Sequence, residues 1–198
     1  MMHKTRIHLI RHGEVEGSTR YNGQRDVALT PRGLEQYHEL KPRLDPDSIS
    51  ACYTSDLSRT VYGGKILGSY LGIEPVKVPE FRELNCGAWQ GLTAAEVQET
   101  RPEEWAARMA DLLHFRAPGG ESLGELAARV RPALSAIVER HRGEEVLVVA
   151  HGGVNRVILL DALGAPLSSM FSIEQRYCCL NIIDYYADGN RVVNLVNG

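Results

Sequence analysis

The stretch Ile7-His8-Leu9-Ile10-Arg11-His12-Gly13-Glu14 decides how the rest of the chain is read. An apolar run stops abruptly on a cation, an imidazole and a glycine. A buried strand ends this way when it delivers polar groups to the open end of a sheet, where α/β proteins keep their ligands. Gly13 permits the sharp turn that such an ending needs. The same device recurs late in the chain, where Glu145-Val146-Leu147-Val148-Val149-Ala150 runs into His151-Gly152-Gly153. As parallel neighbours, the two strands would bring His12 and His151 together.

The intervening sequence supplies the elements such a sheet requires. Thr30 caps and Pro31 opens a helix expected to reach about Leu44, and Ile49–Thr54 reads as a second strand. The spacing of Leu57, Val61, Ile66, Leu67 and Leu71 predicts a helix starting at Ser55 or Ser58 and ended by Gly72. Arg59 then lies in a first helical turn. A cation is unfavourable at that dipole end unless an anion is bound there. Pro75–Val78 makes a short third strand and feeds the irregular, glycine-rich Phe81–Gly91.

Thr93 with Glu96 forms a capping box, and Pro102 restarts a second helical piece expected to reach Leu113. With no strand between Thr93 and His114, residues of about 87–121 are expected to form a small helical lobe inserted over the sheet. Ser122 with Glu125 forms another capping box, opening a long helix towards His141 with Leu126, Val130, Leu134, Ile137 and Val138 on one face. An apolar helix is expected from about Val154 to Leu163. Leu180–Tyr186 and Arg191–Val196 then flank a hairpin turn. This order predicts a three-layer α/β/α sandwich whose mainly parallel sheet carries an antiparallel terminal hairpin strand.

With 198 residues, 43% of them hydrophobic, the chain can bury a full core and is expected to form one domain, 1–198. Lys and Arg total 22 against 25 Asp and Glu, a net charge of −3 with no polybasic run, which argues against a nucleic-acid partner. Met-Met-His-Lys-Thr-Arg leads straight into the first strand without an apolar leader or span, so a cytoplasmic protein with no membrane partner is expected. Cys52, Cys86, Cys178 and Cys179 lack metal-binding spacing and read as reduced, mostly buried thiols. His38, His114 and His141 are isolated, and neither a metal nor a cofactor is expected. Gly120-Glu121-Ser122-Leu123-Gly124 matches the nucleophile elbow of serine hydrolases, but no strand precedes it, and capping explains Ser122.

Arg11-His12-Gly13, Arg59, Glu83 in Phe81-Arg82-Glu83-Leu84-Asn85-Cys86-Gly87-Ala88-Trp89-Gln90-Gly91, and His151-Gly152 stand in the order of one family. The sequence resembles the histidine phosphatases of the phosphoglycerate mutase-like group over almost its whole length, including Arg20–Gln36 and Pro118–Leu123. The resemblance implies attack by His12 on phosphorus to give a phosphohistidine. Arg11, Arg59 and a protonated His151 would hold the developing charge, and Glu83 would protonate the leaving group and later activate water. A neutral imidazole suits the attack because an anion approaching a phosphate dianion is repelled. Nearby Glu80 competes with Glu83 for the donor role. The resemblance also places Asn22, Gly23 and the Gly152 backbone near the phosphate, with Ser18 where the family more often has asparagine. Trp89 is expected to pack and Tyr21 to line the mouth.

The implied partner is a small phosphorylated metabolite. Mutases of the group are longer and carry extra basic lobe residues. This lobe offers only Arg101, Arg108 and Arg116, and Cys86 replaces a usual tyrosine, which favours a phosphatase, resembling the α-ribazole phosphatase branch of cobalamin assembly. The alternatives are a 2,3-bisphosphoglycerate-dependent mutase and a non-catalytic phospho-ligand binding protein. The terminal hairpin is a candidate edge for pairing two copies into a homodimer.

Overall fold

A computed structural model of the chain describes residues 4–198. In chain order it comprises β1 (Lys4–Arg11), α1 (Pro31–Leu40), β2 (Ile49–Thr54), α2 (Ser58–Leu71), β3 (Val76–Lys77), α3 (Ala94–Thr100), α4 (Pro102–Ala110), α5 (Leu123–Arg140), β4 (Glu145–Ala150), α6 (Gly152–Leu163), β5 (Leu180–Tyr186) and β6 (Arg191–Leu195). The strands form one sheet in the order β3-β2-β4-β1-β5-β6. Pairing is parallel from β3 through β1 and antiparallel from β1 to β5 and from β5 to β6.

The centre of the sheet is buried on both faces, which is why β4 reads as an unbroken apolar run rather than an alternation. Its Val146, Val148 and Ala150 pack in the cluster that contains α5 and α6 residues such as Leu126, Val130 and Ile158. Its Leu147 and Val149 pack with Tyr37 and Leu40 of α1 and Leu67 of α2. These are the three layers. A smaller cluster of Trp89, Val97 and Ala117, with Trp105 and Phe115 against it, holds α3 and α4 together.

The parallel register pairs Arg11 with Ala150, so the next residue on each strand is a histidine, and the two leave the sheet side by side. His12 N–H donates to the Ala150 carbonyl at 3.0 Å, carrying the pairing one residue past the strand. The turn after His12 runs hard against α1. A Cβ on Gly13 would lie 2.3 Å from the Gly33 carbonyl oxygen, so only glycine allows this approach.

Both capping boxes are present, at Thr93/Glu96 and Ser122/Glu125, and Thr30 accepts from Gly33 N–H. α2 begins at Ser58, but its cap is not local: Ser58 N–H donates to Asp26 Oδ1 at 2.8 Å. α4 stops at Ala110 instead of Leu113, because the Asp111 carboxylate turns back to accept from His114 N–H at 3.1 Å. α6 starts at Gly152 instead of Val154, two glycines making its first turn. The four cysteines are free, and among the described residues no helix is long and apolar enough to cross a membrane.

Candidate active site

A cavity of about 330 Å³ lies at the end of the sheet where β1 delivers Arg11 and His12. Arg59, Glu83 and Gly153 line it from three other segments, and Ser18, Asn22 and Gly23 line it from the loop after β1. Glu80 is exposed and does not face the cavity. His151 is sealed from solvent behind His12, their ring centroids 5.1 Å apart at 62°. Gly152 is buried, and a Cβ there would meet Arg156 Nη1 at 3.1 Å and Arg11 Nε at 3.5 Å. Its neighbour Gly153 lines the cavity.

The His12 ring is fixed by its Nδ1, which lies 2.8 Å from the Gly13 carbonyl. A carbonyl only accepts, so Nδ1 carries the hydrogen and Nε2 keeps its lone pair. Burial, then Arg59 and Arg11, hold the His12 pKa well below the usual histidine value. The ring is therefore a neutral base with one free nitrogen.

His151 Nε2 lies 2.8 Å from Ser55 Oγ, and Ser55 Oγ lies 2.7 Å from Thr60 Oγ1. Thr60 donates its only hydroxyl hydrogen to a carbonyl, Ser55 or Leu57. Ser55 must then donate to Thr60 and accept from His151, which puts the hydrogen on Nε2. His151 Nδ1 is buried with no partner. Burial, then Arg59, His12 and Arg11, push the His151 pKa well down. Without a bound anion the protein's own groups thus favour a neutral His151. Its proton has to be stabilised by an anion.

The arginines are held by backbone carbonyls. Arg59, 1% exposed, donates to Gly23 O at 2.6 Å and to Arg25 O at 2.7 Å. Arg11 donates to Gln175 O at 2.6 Å and stacks on the Tyr177 ring at 3.9 Å. Tyr37 ties the two sides together: its hydroxyl accepts from Gly13 N–H at 3.1 Å and donates to Arg59 O at 3.0 Å. The Glu83 carboxylate accepts from Leu84 N–H at 2.8 Å and from Gly153 N–H at 3.0 Å, while its carbonyl is held by Gln24 and Arg129. Trp89 is buried, as expected, and Tyr21 stands beside it at 5.6 Å.

Tyr177 and Arg156 line the cavity without being singled out in the sequence, and Arg108 reads there only as a lobe cation. Tyr177 covers Arg11 and packs against His12 at 5.6 Å. Arg156 lines the cavity from α6 with its Nε on Ile173 O at 2.8 Å. Arg108 reaches in from α4. A lone arginine inside Val154-Asn155-Arg156-Val157-Ile158-Leu159 was the one signal available. Among the described residues no three His, Cys, Asp or Glu side chains are grouped as metal ligands.

Residues 7–198 match the family model of the histidine phosphatase superfamily (branch 1). A Yersinia enterocolitica protein named "Probable phosphoglycerate mutase GpmB" is 35% identical over 184 residues, covering 90% of this chain and 84% of its own. Among solved structures, an α-ribazole phosphatase from Shigella flexneri is 26% identical with a TM-score of 0.88, over 98% of this chain and 96% of that one. A mycobacterial glucosyl-3-phosphoglycerate phosphatase is 25% identical with a TM-score of 0.86, over 98% of each chain.

Proposed function

This chain belongs to the histidine phosphatase superfamily, branch 1, and from that premise we propose that it hydrolyses small phosphomonoesters through a phosphohistidine on His12, without a metal. The observation that supports this most directly is the His12 ring itself, neutral and pinned through Nδ1, with Nε2 free in a cavity that also holds Arg11 and Arg59. The two guanidinium groups offset the phosphate charge that a metal ion would otherwise have to offset.

In the first step His12 Nε2 bonds to phosphorus as the ester P–O bond breaks, and the leaving oxygen takes a proton from Glu83. In the second, water attacks phosphorus, Glu83 accepts its proton, and the P–N bond breaks to release phosphate. Phosphate oxygen beside His151 Nδ1 gives that nitrogen the anion its protonation requires, turning an unpartnered atom into a donor. Ser18, Asn22, Gly23 and Gly152 complete the surroundings of the transferred group.

The relatives' substrates define the panel to assay: α-ribazole 5′-phosphate, glucosyl-3-phosphoglycerate and 3-phosphoglycerate. Cys86 lines the cavity, and burial pushes its thiol up to about 12, leaving a small neutral group there. That favours hydrolysis over mutase chemistry, whereas the 35% identity to the relative named as a mutase favours the second reading. Rapid formation of 2-phosphoglycerate from 3-phosphoglycerate primed with 2,3-bisphosphoglycerate would decide for the mutase.

The central test is acid-quench trapping during turnover of p-nitrophenyl phosphate. An acid-labile phosphoryl adduct on the His12 peptide is expected, and His12→Ala should lose both adduct and at least about 10⁴-fold in kcat. Turnover without the adduct, or substantial turnover by His12→Ala, would end the proposal. A wild type inert towards every phosphomonoester would leave only a binding protein.

A further inference from the structure

We infer that Gln175 is a positioning residue for the transferred phosphate: its buried amide, locked to Asn181, fixes the main-chain carbonyl that aims the Arg11 guanidinium. This rests on the phosphatase reading, which puts Arg11 on the phosphate.

Among the described residues the Arg11 guanidinium has one hydrogen-bond acceptor, Gln175 O at 2.6 Å, and one stacking partner, the Tyr177 ring at 3.9 Å. Both belong to residues 173–179, which form neither helix nor strand. A loop carbonyl fixes a guanidinium only if the loop is itself fixed. The loop's own backbone contributes little, Cys178 N–H on His12 O at 3.2 Å and Cys179 N–H on Arg176 O at 3.2 Å.

Side chains turned inward supply the rest. Gln175 is 2% exposed and Asn181 is fully buried. Asn181 Nδ2 donates to Leu9 O at 3.0 Å, and its Oδ1 accepts from Asn197 N–H at 2.9 Å. These two backbone groups settle which way the Asn181 amide faces, because a carbonyl only accepts and an N–H only donates. Gln175 closes on it with a pair of bonds, Nε2 donating to Asn181 Oδ1 at 2.8 Å and Oε1 accepting from Asn181 Nδ2 at 3.0 Å. Leu9 stands opposite Asn181 in the sheet, two residues before Arg11. The loop carbonyl and the guanidinium it holds are thus both referred to β1.

Asn155, also fully buried, adjoins the pair. Turned one way it donates to Gln175 Oε1 at 3.1 Å; turned the other it accepts from Arg11 N–H at 3.2 Å and donates to His151 O at 3.1 Å. Asn197 adds an outer tie, its Oδ1 accepting from Arg176 N–H at 2.6 Å. Burying three amides carries a desolvation cost that apolar side chains avoid. Apolar contacts have no direction, whereas a bonded amide network admits one geometry. Direction is what position 175 needs, since its carbonyl orients a cation without a carboxylate.

The test is a double-mutant cycle between Gln175 and Arg11, read by the Kd of inorganic phosphate and by kcat/KM for p-nitrophenyl phosphate. Gln175→Met keeps the length of the side chain and removes the amide. It should weaken both by about 10-fold, short of the roughly 10²-fold that a misplacement of about 1 Å can cost. Arg11→Lys presents a point charge with no fork to aim, so in that background the same substitution should cost under about 2-fold. Its effect on thermal melting should be equal in the two backgrounds. Asn197→Gly removes the outer tie at a residue whose φ of 53° suits glycine, so the fold should be retained. It should cost about 3-fold, again only with Arg11 in place.

Equal losses in the two backgrounds would overturn the inference, by making Gln175 part of the scaffold alone. Unchanged phosphate binding in Gln175→Met and Asn197→Gly would also overturn it, and if Gln175→Met does not fold, Asn197→Gly decides by itself. If wild type binds phosphate but hydrolyses no phosphomonoester, the phosphatase reading falls and the Kd values of the cycle still decide for or against Gln175. A wild type that binds no phosphate removes both.

Discussion

Gly153→Ala isolates the proton-transfer role assigned to Glu83 without touching Glu83. Gly153 N–H donates to Glu83 Oε2 at 3.0 Å, and a Cβ on Gly153 would lie 2.3 Å from Glu83 Oε1. Ordinary contact begins near 3.4 Å, so the carboxylate must retreat by about 1 Å, a displacement that can cost about 10²-fold in rate at a reacting centre. The fold should survive. Alanine is favoured over glycine in a helix by about 0.5–1 kcal/mol, and the next neighbour, Leu126 Cδ2, is at an ordinary 3.5 Å.

The assay is kcat/KM, which reports steps up to transfer onto His12, with two leaving groups. An alkyl phosphate, whose oxygen must be protonated, should lose about 10²-fold, within the range expected of a general acid. p-Nitrophenyl phosphate, which departs as a stable phenolate, should lose under about 5-fold. Hydrolysis of the phosphohistidine still needs Glu83 as base, so nitrophenolate should now appear in a burst stoichiometric with enzyme. Equal losses on both substrates, or a steady state with no burst, would refute the role given to Glu83.

Three further outcomes follow from the packing and the charges. His12 and His151 are held neutral, with pKa values below the 6.5 of an ordinary histidine, so below that pH the unfolded chain binds protons that the native chain refuses. Their contribution is present above pH 6.5 and lost as the pH falls beneath it. In phosphate-free buffer, denaturant unfolding should show about 2 kcal/mol less stability at pH 5.5 than at pH 7. A flat profile would contradict it. Asp184, held down to about 2 chiefly by its bonds to Arg6 and Lys4 against the opposing effect of burial, acts only at lower pH. Gly13→Ala should cost about 1–3 kcal/mol and most of the activity, because the opposing Gly33 carbonyl is backbone and cannot step aside. Gly164→Ala meets open space at a positive φ and should cost about 1 kcal/mol with kcat unchanged, as thermal melts and steady-state assays can check.

What the sequence revealed and what it hid divide along a physical line. β1 and β4 were legible because burial on both faces demands an unbroken apolar run, and a polar triplet after such a run has little to do but serve a ligand. The caps at Thr30, Thr93 and Ser122 were legible because each bonds within three residues of itself. Asp26 as the cap of α2 was not, since nothing in 32 residues of separation announces it. Arg156 and Tyr177 were missed for a related reason. Residues 173–177 have neither helix nor strand periodicity, yet they place a carbonyl on Arg156, another on Arg11, and an aromatic face over Arg11. The charge state of His151 could not be read either, because it depends on burial behind His12.

The same line explains how the cavity keeps its charge. Arginines elsewhere are fixed by carboxylates, Arg82 by Asp56, Arg129 by Glu121 and Arg131 by Asp161. A carboxylate in the cavity would orient a guanidinium equally well and cancel the charge that an incoming phosphate must find. Arg11, Arg59 and Arg156 are instead oriented by neutral carbonyls at Gln175, Gly23, Arg25 and Ile173. They stay cationic, and burial together with the field of Arg59 and Arg11 keeps both histidines unprotonated, which supplies the lone pair on His12. Arg156, oriented in the same way as Arg11 and Arg59, keeps its charge for the cavity rather than spending it on the scaffold.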